Sequence, residues 1–165
     1  MSLKEQLRHG LEHTRGFTDQ VLSEIVDDND WVRRPVPDAN HALWIAGHLA
    51  FATNAFIGFV DPTRKDNAND GASLFGKGIQ SVEDLNAYPK PGDVAQYLTE
   101  RGRTFIELLS ETEDFDRVVT EGPAFMHDVG AVFQMAIWHE ALHSGQLTVI
   151  HRMIGQPAFT SRNSS

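Results

Sequence analysis

The chain has 165 residues and no cysteine, with 23 acidic against 14 basic side chains and a formal net charge of −9. That length fits one domain over residues 1–165 with a sizeable core, and the acidity argues against a nucleic-acid or anionic-membrane partner. The missing thiols exclude disulfides, Cys-ligated zinc and a cysteine nucleophile together, so any metal site must be built from His, Asp or Glu.

The first segment, MSLKEQLRHGLEHTRG, is charged throughout and lacks the apolar run of a signal peptide. Leu3, Leu7, Leu11, Val21, Leu22 and Ile25 fall at helical spacing and predict a helix over about 3–26. His9 and His13 lie on its solvated face among Arg8, Glu12 and Arg15. The stretch DDNDWVRRPVPDAN reads as a loop broken by Pro35 and Pro37, with Asn40 as the expected N-cap of a second helix, about 41–60. Arg33-Arg34 in that loop reads as a solvated pair, or as an attractor of anionic substrate if it borders a site. Ala42–Val60 has 19 residues without an Asp, Glu, Lys or Arg, the length of a membrane span. It also holds His48, Thr53, Asn54 and much Ala and Gly, which fits a helix enclosed in a bundle, and no membrane partner is expected.

Residues 61–92 collect Gly, Pro and Asn and form a long crossover, with a short helix expected from Ser81-Val-Glu-Asp. A third helix, about 93–112, carries Val94, Leu98, Phe105, Leu108 and Leu109. After a second connection, a fourth helix starts near Asp128 and stops at Gly155, before Pro157. Nothing reads as a paired strand. The expected fold is all-α, a four-helix bundle with a long crossover connection.

The fourth helix contains His139-Glu140-Ala-Leu-His143. Residues i and i+4 share a helix face, about 6 Å apart along the axis, so both imidazoles can reach one ion. At 100° per residue, Val132, Met135, Ala136, Leu147 and Ile150 share the direction of His139, which makes this the inward face. On the second helix, His48 lies among Trp44, Ile45, Ala52, Ala55 and Phe59, again an inward face. Two such helices propose a three-histidine site from His48, His139 and His143. Imidazole suits zinc, nickel and iron(II) alike. His41 shares the face of His48 but lies about 10 Å along the axis, too far for the same ion.

The letters H-E-x-x-H also occur in zinc proteases. Those enzymes need a third ligand, generally downstream, whereas no Asp or Glu follows Glu140. Position 149, where the extended motif has His, is Val149. His151 lies about 12 Å along the axis from His143 and is turned by roughly 80°. The missing ligand must come from upstream, where His48 stands. Glu140 could act as a general base or orient a ligand histidine, or it could simply pair with a cation. Gln146 lies one turn from His143 and could contact substrate or a bound water. Trp44 and Trp138 could line a pocket or fill the core, and Gly47 and Gly145 read as close-packing positions.

The segments Asn40-His-Ala-Leu-Trp-Ile-Ala-Gly-His48-Leu-Ala, Trp138-His-Glu-Ala-Leu-His-Ser-Gly-Gln-Leu147 and Arg152-Met-Ile-Gly155-Gln-Pro157 together resemble the DinB-like superfamily of metalloenzymes. The resemblance covers nearly the whole chain. It implies a four-helix bundle with an unusual crossover, commonly a homodimer, and one divalent metal on three histidines, which map onto His48, His139 and His143 without departure. Some members are transferases or isomerases dependent on a low-molecular-weight thiol; fold and site transfer by such a resemblance, whereas substrate does not. The leading expectation is a cytoplasmic metal-dependent enzyme acting on a small molecule, a hydrolase or a transferase with a thiol cosubstrate. The alternative is a non-catalytic bundle that binds a metal or ligand in a stress response.

Overall fold

A computed structural model describes residues 1–69 and 71–159. Helix α1, Leu3–Ser23, opens with a capping box. The Ser2 hydroxyl accepts the Glu5 N–H, and the Glu5 carboxylate accepts the Ser2 N–H. It ends a few residues before the expected 26, and a 3₁₀ turn, Asp28–Val32, follows. That turn buries Trp31, whose indole N–H donates to the Ile25 carbonyl at 3.2 Å.

Helix α2, Ala42–Val60, is capped by His41 rather than Asn40. The fully buried imidazole of His41 accepts the Trp44 N–H through Nδ1 at 3.1 Å and donates through Nε2 to the Val82 carbonyl at 3.0 Å. A histidine replaces the expected Asn because its second nitrogen also ties the helix start to the crossover. Among the described residues α2 is the one helix long and apolar enough to cross a membrane. Its sides are instead covered by α4, α5 and the crossover, and 67% of its apolar window is buried inside the bundle.

The crossover contains a 3₁₀ turn at Pro62–Arg64, a single helical turn α3 at Ala72–Phe75 and a 3₁₀ turn at Leu85–Ala87 capped by Asp84. The short helix expected at Ser81 is thus the Leu85–Ala87 turn, and α3 comes earlier. Helix α4, Pro91–Glu111, begins with proline in its first turn, where the missing N–H costs nothing. Helix α5, Val129–Met153, is capped by Asp128, whose carboxylate accepts the Ala131 N–H at 2.7 Å. An isolated antiparallel bridge between Val118 and Asp128 holds the connection before α5, and no longer strand occurs among the described residues.

The four long helices enclose two apolar clusters. Leu22, Leu43, Leu49, Leu98, Leu147 and Ile150 belong to one. Leu7, Leu11, Phe56, Phe105, Leu109 and Phe133 belong to the other. Along α2 and α5 the two clusters meet at the level of His48, His139 and His143. The fold is all-α, as the apolar periodicity predicts.

Candidate metal centre

Each histidine is positioned by a separate local device. The His48 Nδ1 lies 2.7 Å from the Phe75 carbonyl oxygen. A carbonyl can only accept, so Nδ1 carries the proton and Nε2 keeps its lone pair. Phe75 is the last residue of α3, and its ring lies over Gly47. A Cβ at position 47 would stand 2.3–2.5 Å from that ring, so α3 reaches His48 only because α2 has glycine there. On the other side of the imidazole the Trp44 indole stacks at a centroid distance of 4.8 Å and an angle of 9°.

On α5, His143 is buried and its Nδ1 lies 3.1 Å from the Gln146 side-chain oxygen, one turn on. That contact leaves the His143 Nε2 free as an acceptor. The half-buried His139 places its Nε2 3.2 Å from the His48 Nε2, with the edge of Phe56 beside its ring. One nitrogen from each of the three histidines falls within a 4.8 Å group.

Burial disfavours an added charge, and holds all three imidazoles below their ordinary value. His139 is pushed down to about 3, by burial first and then by His143 and His48. Neutral imidazoles are the form that binds a metal, and His48 and His143 each keep an Nε2 lone pair for it.

The donor set fits a divalent ion. Two nitrogens each about 2.0–2.1 Å from one tetrahedral ion lie roughly 3.3 Å apart. The separation of the two Nε2 atoms, 3.2 Å, matches that value. Without a cation or a proton between them, two lone pairs at this distance would repel. No carboxylate joins the group among the described residues.

The remaining expected site residues divide. Trp44 and Gln146 touch the centre, through the stack on His48 and the bond to His143. Trp138 faces away and is 57% exposed. Glu140 is buried, but its carboxylate meets Arg15 of α1 at 2.9 Å and none of the three imidazoles. Burial pushes its carboxyl up, while Arg15 pulls it down. His151 is buried against Glu24 at 2.7 Å, and His9 and His13 form an exposed stacked pair. The loop residue His127, for which the sequence offers no partner, pairs with Asp128 at 2.8 Å. Sequence reasoning missed Phe75: a backbone carbonyl has no residue signature, and this one lies 27 positions from the histidine it orients.

No curated protein matches this chain. The family model of the DinB superfamily matches residues 10–147, a span that contains all four long helices in whole or in large part and all three histidines. An all-helical fold, a histidine cluster where its two core halves meet and this family match agree, and the chain belongs to the DinB superfamily.

Proposed function

We propose that this protein is a metal-dependent enzyme acting on a small molecule, with His48, His139 and His143 as ligands of one divalent ion, zinc, nickel or iron(II). The observation that carries this reading is the convergence of three neutral imidazole nitrogens within 4.8 Å, joined by no carboxylate and no fourth histidine among the described residues. Three ligands leave a coordination position for water or substrate, as catalytic sites do. An ion held there would supply Lewis acidity to a water, thiol or carbonyl group.

The chain's own residues hold the site in register. Phe75 fixes the tautomer of His48 and Gln146 that of His143. Trp44 shields one face of His48 from water. With no cysteine present, a thiol nucleophile would enter as a low-molecular-weight cosubstrate. The reaction is thus either hydrolysis or transfer to such a thiol. A cytoplasmic place of action belongs to the same proposal.

The protein is further proposed to be a homodimer that pairs through α5. Trp138, Leu142 and Val149 lie on one side of that helix and are 57%, 48% and 56% exposed. Such a stripe is characteristic of a surface that meets a partner.

Metal analysis of the purified protein, followed by two assays of the loaded form, tests the enzymatic reading. One assay supplies a small thiol with an electrophile; the other supplies esters and amides without thiol. About one ion per chain and turnover in one assay is the expected result. Bound metal without turnover in either would favour a non-catalytic metal-binding bundle, and absence of metal would overturn the site.

A further inference from the structure

The chain has 8 histidines. Three form the centre, His41 caps α2, His151 meets Glu24 and His127 meets Asp128. His9 and His13 are left, and they stand one turn apart on α1. Both are exposed, on the side of the helix away from the buried Leu7 and Leu11.

The two rings project the same way. They are near-parallel, at 26°, with centroids 6.0 Å apart. Among the described residues neither ring hydrogen-bonds to another protein group. Two imidazoles on neighbouring positions of one ion, with bonds of about 2.0 Å, have centroids roughly 4.5–5 Å apart. The rings therefore need to close by about 1 Å, which rotation of exposed side chains supplies. The same i, i+4 spacing on α5 already gives 4.6 Å between His139 and His143.

The surroundings favour a cation. Arg8 turns to the Ser110 hydroxyl at 2.5 Å and to Glu12 at 3.7 Å, and Arg15 turns inward to Glu140. Glu5 adds a carboxylate one turn before His9. The helix under the pair is also well held. Its capping box lies just upstream, and Gly10 lets α1 close on Ile137 of α5, where a Cβ would stand 2.7 Å from that side chain. The backbone is thus ordered before an ion arrives.

We propose that His9 and His13 form a second, surface metal site that chelates a late divalent transition metal, copper(II) most tightly and nickel(II) and zinc less so. That order follows from the general affinities of nitrogen ligands for these ions. The second ring binds intramolecularly, which raises affinity about 10²–10⁴-fold over one ring. Water completes the coordination. The site does not depend on the metal-enzyme reading above.

Copper(II) chloride, titrated at equilibrium and followed by electron paramagnetic resonance, tests the pair. The proteins are wild type and a His48→Ala/His143→Ala form that lacks the centre, each with and without His9→Asn plus His13→Asn. The form lacking the centre is expected to bind one ion whose spectrum shows coupling to two nitrogens. Substituting the pair should remove that signal and weaken binding about a hundredfold, and either single substitution should do the same. Copper should also raise the Tm of the form lacking the centre but not of its pair-substituted counterpart, since the bridged rings exist only on the folded helix. Should the form lacking the centre not fold, the wild-type comparison gives the same answer, as the loss of one copper ion per chain.

Copper binding and spectra unchanged by the pair substitution would overturn the proposal and leave the three-histidine centre untouched. A loss of less than about threefold in each single variant would show two independent rings, and would overturn it as well. Wild-type protein that takes copper through the pair alone would uphold the surface site and sink the centre.

Discussion

The Glu140 carboxylate stands 2.9 Å from the Arg15 guanidinium, so the acid of the H-E-x-x-H sequence joins α5 to α1 instead of facing the histidines. Both side chains are largely enclosed, at 7% and 12% exposure. Helix α4 makes room for the guanidinium with Gly102, where a Cβ would lie 3.2 Å from the Arg15 Nε. One carboxylate oxygen and two guanidinium nitrogens have no protein partner. The pair therefore fixes the rotation of α5 at His139 more than it adds net stability.

Removing half of this pair strands a buried charge. Glu140→Ala is expected to lower stability by about 3–5 kcal/mol in denaturant unfolding. Glu140→Gln, which keeps the shape and an acceptor for Arg15, should cost much less and retain the bound metal. A folded, metal-loaded Glu140→Gln protein without turnover would instead make Glu140 catalytic.

The histidines should separate by function. His48→Ala and His143→Ala are each expected to reduce metal content from about one per chain to near zero, by elemental analysis of folded protein. His41 is consumed as the cap of α2 and as a donor to Val82. Its alanine variant should keep the metal and lose on the order of 1–2 kcal/mol of stability. Metal loss in His41→Ala with retained metal in His48→Ala would reverse the assignment.

Gly47→Ala tests the route by which α3 orients His48. The added methyl would meet the Phe75 ring at about 2.3–2.5 Å, so the ring and its carbonyl must shift. Overpacking of this kind costs about 1–3 kcal/mol. Metal affinity should fall about tenfold or more, the usual effect of disturbing the group that orients a ligand. Unchanged affinity in a destabilised variant would show that the Phe75 carbonyl does not matter to the centre.

The metal-free protein should be sensitive to acid. His48, His139 and His143 are held below their unfolded value of 6.5. Between the two values the unfolded chain binds more protons, so stability is full above about pH 6.5 and falls as pH drops below it. At pH 5 His139, pushed down to about 3, is expected to contribute a loss on the order of 1 kcal/mol after allowance for solvent screening, or roughly 2–4 °C in Tm, and His48 and His143 add to it in the same direction. Thermal melts at pH 7.5 and pH 5 check this. A variant lacking His139 should show a smaller drop; an equal drop would exclude the cluster as its source.

Dimer formation through α5 predicts that Trp138→Glu combined with Leu142→Glu yields a monomer by light scattering, with unchanged helical content. A wild-type monomer at micromolar concentration would refute the dimer, and a double variant that stays dimeric would move the interface elsewhere.

The sequence by itself determined the all-α fold, the bounds of the four long helices to within a few residues and the three histidines. Apolar spacing, Asp128 as a cap and the i, i+4 pair are local or periodic properties, and those survive in one dimension. Only the tertiary structure decided what the rest of the motif does. Glu140 was ambiguous because a helix position gives a direction but not the partner waiting there, and that partner is Arg15, 125 residues away. Trp138 and Trp44 adjoin equally promising histidines in sequence, yet one faces out of the bundle and the other stacks on His48. His41 displaced Asn40 as the cap because its second nitrogen finds the Val82 carbonyl, and His48 is oriented by the carbonyl of Phe75. Both devices depend on where the crossover packs, which helical periodicity does not encode.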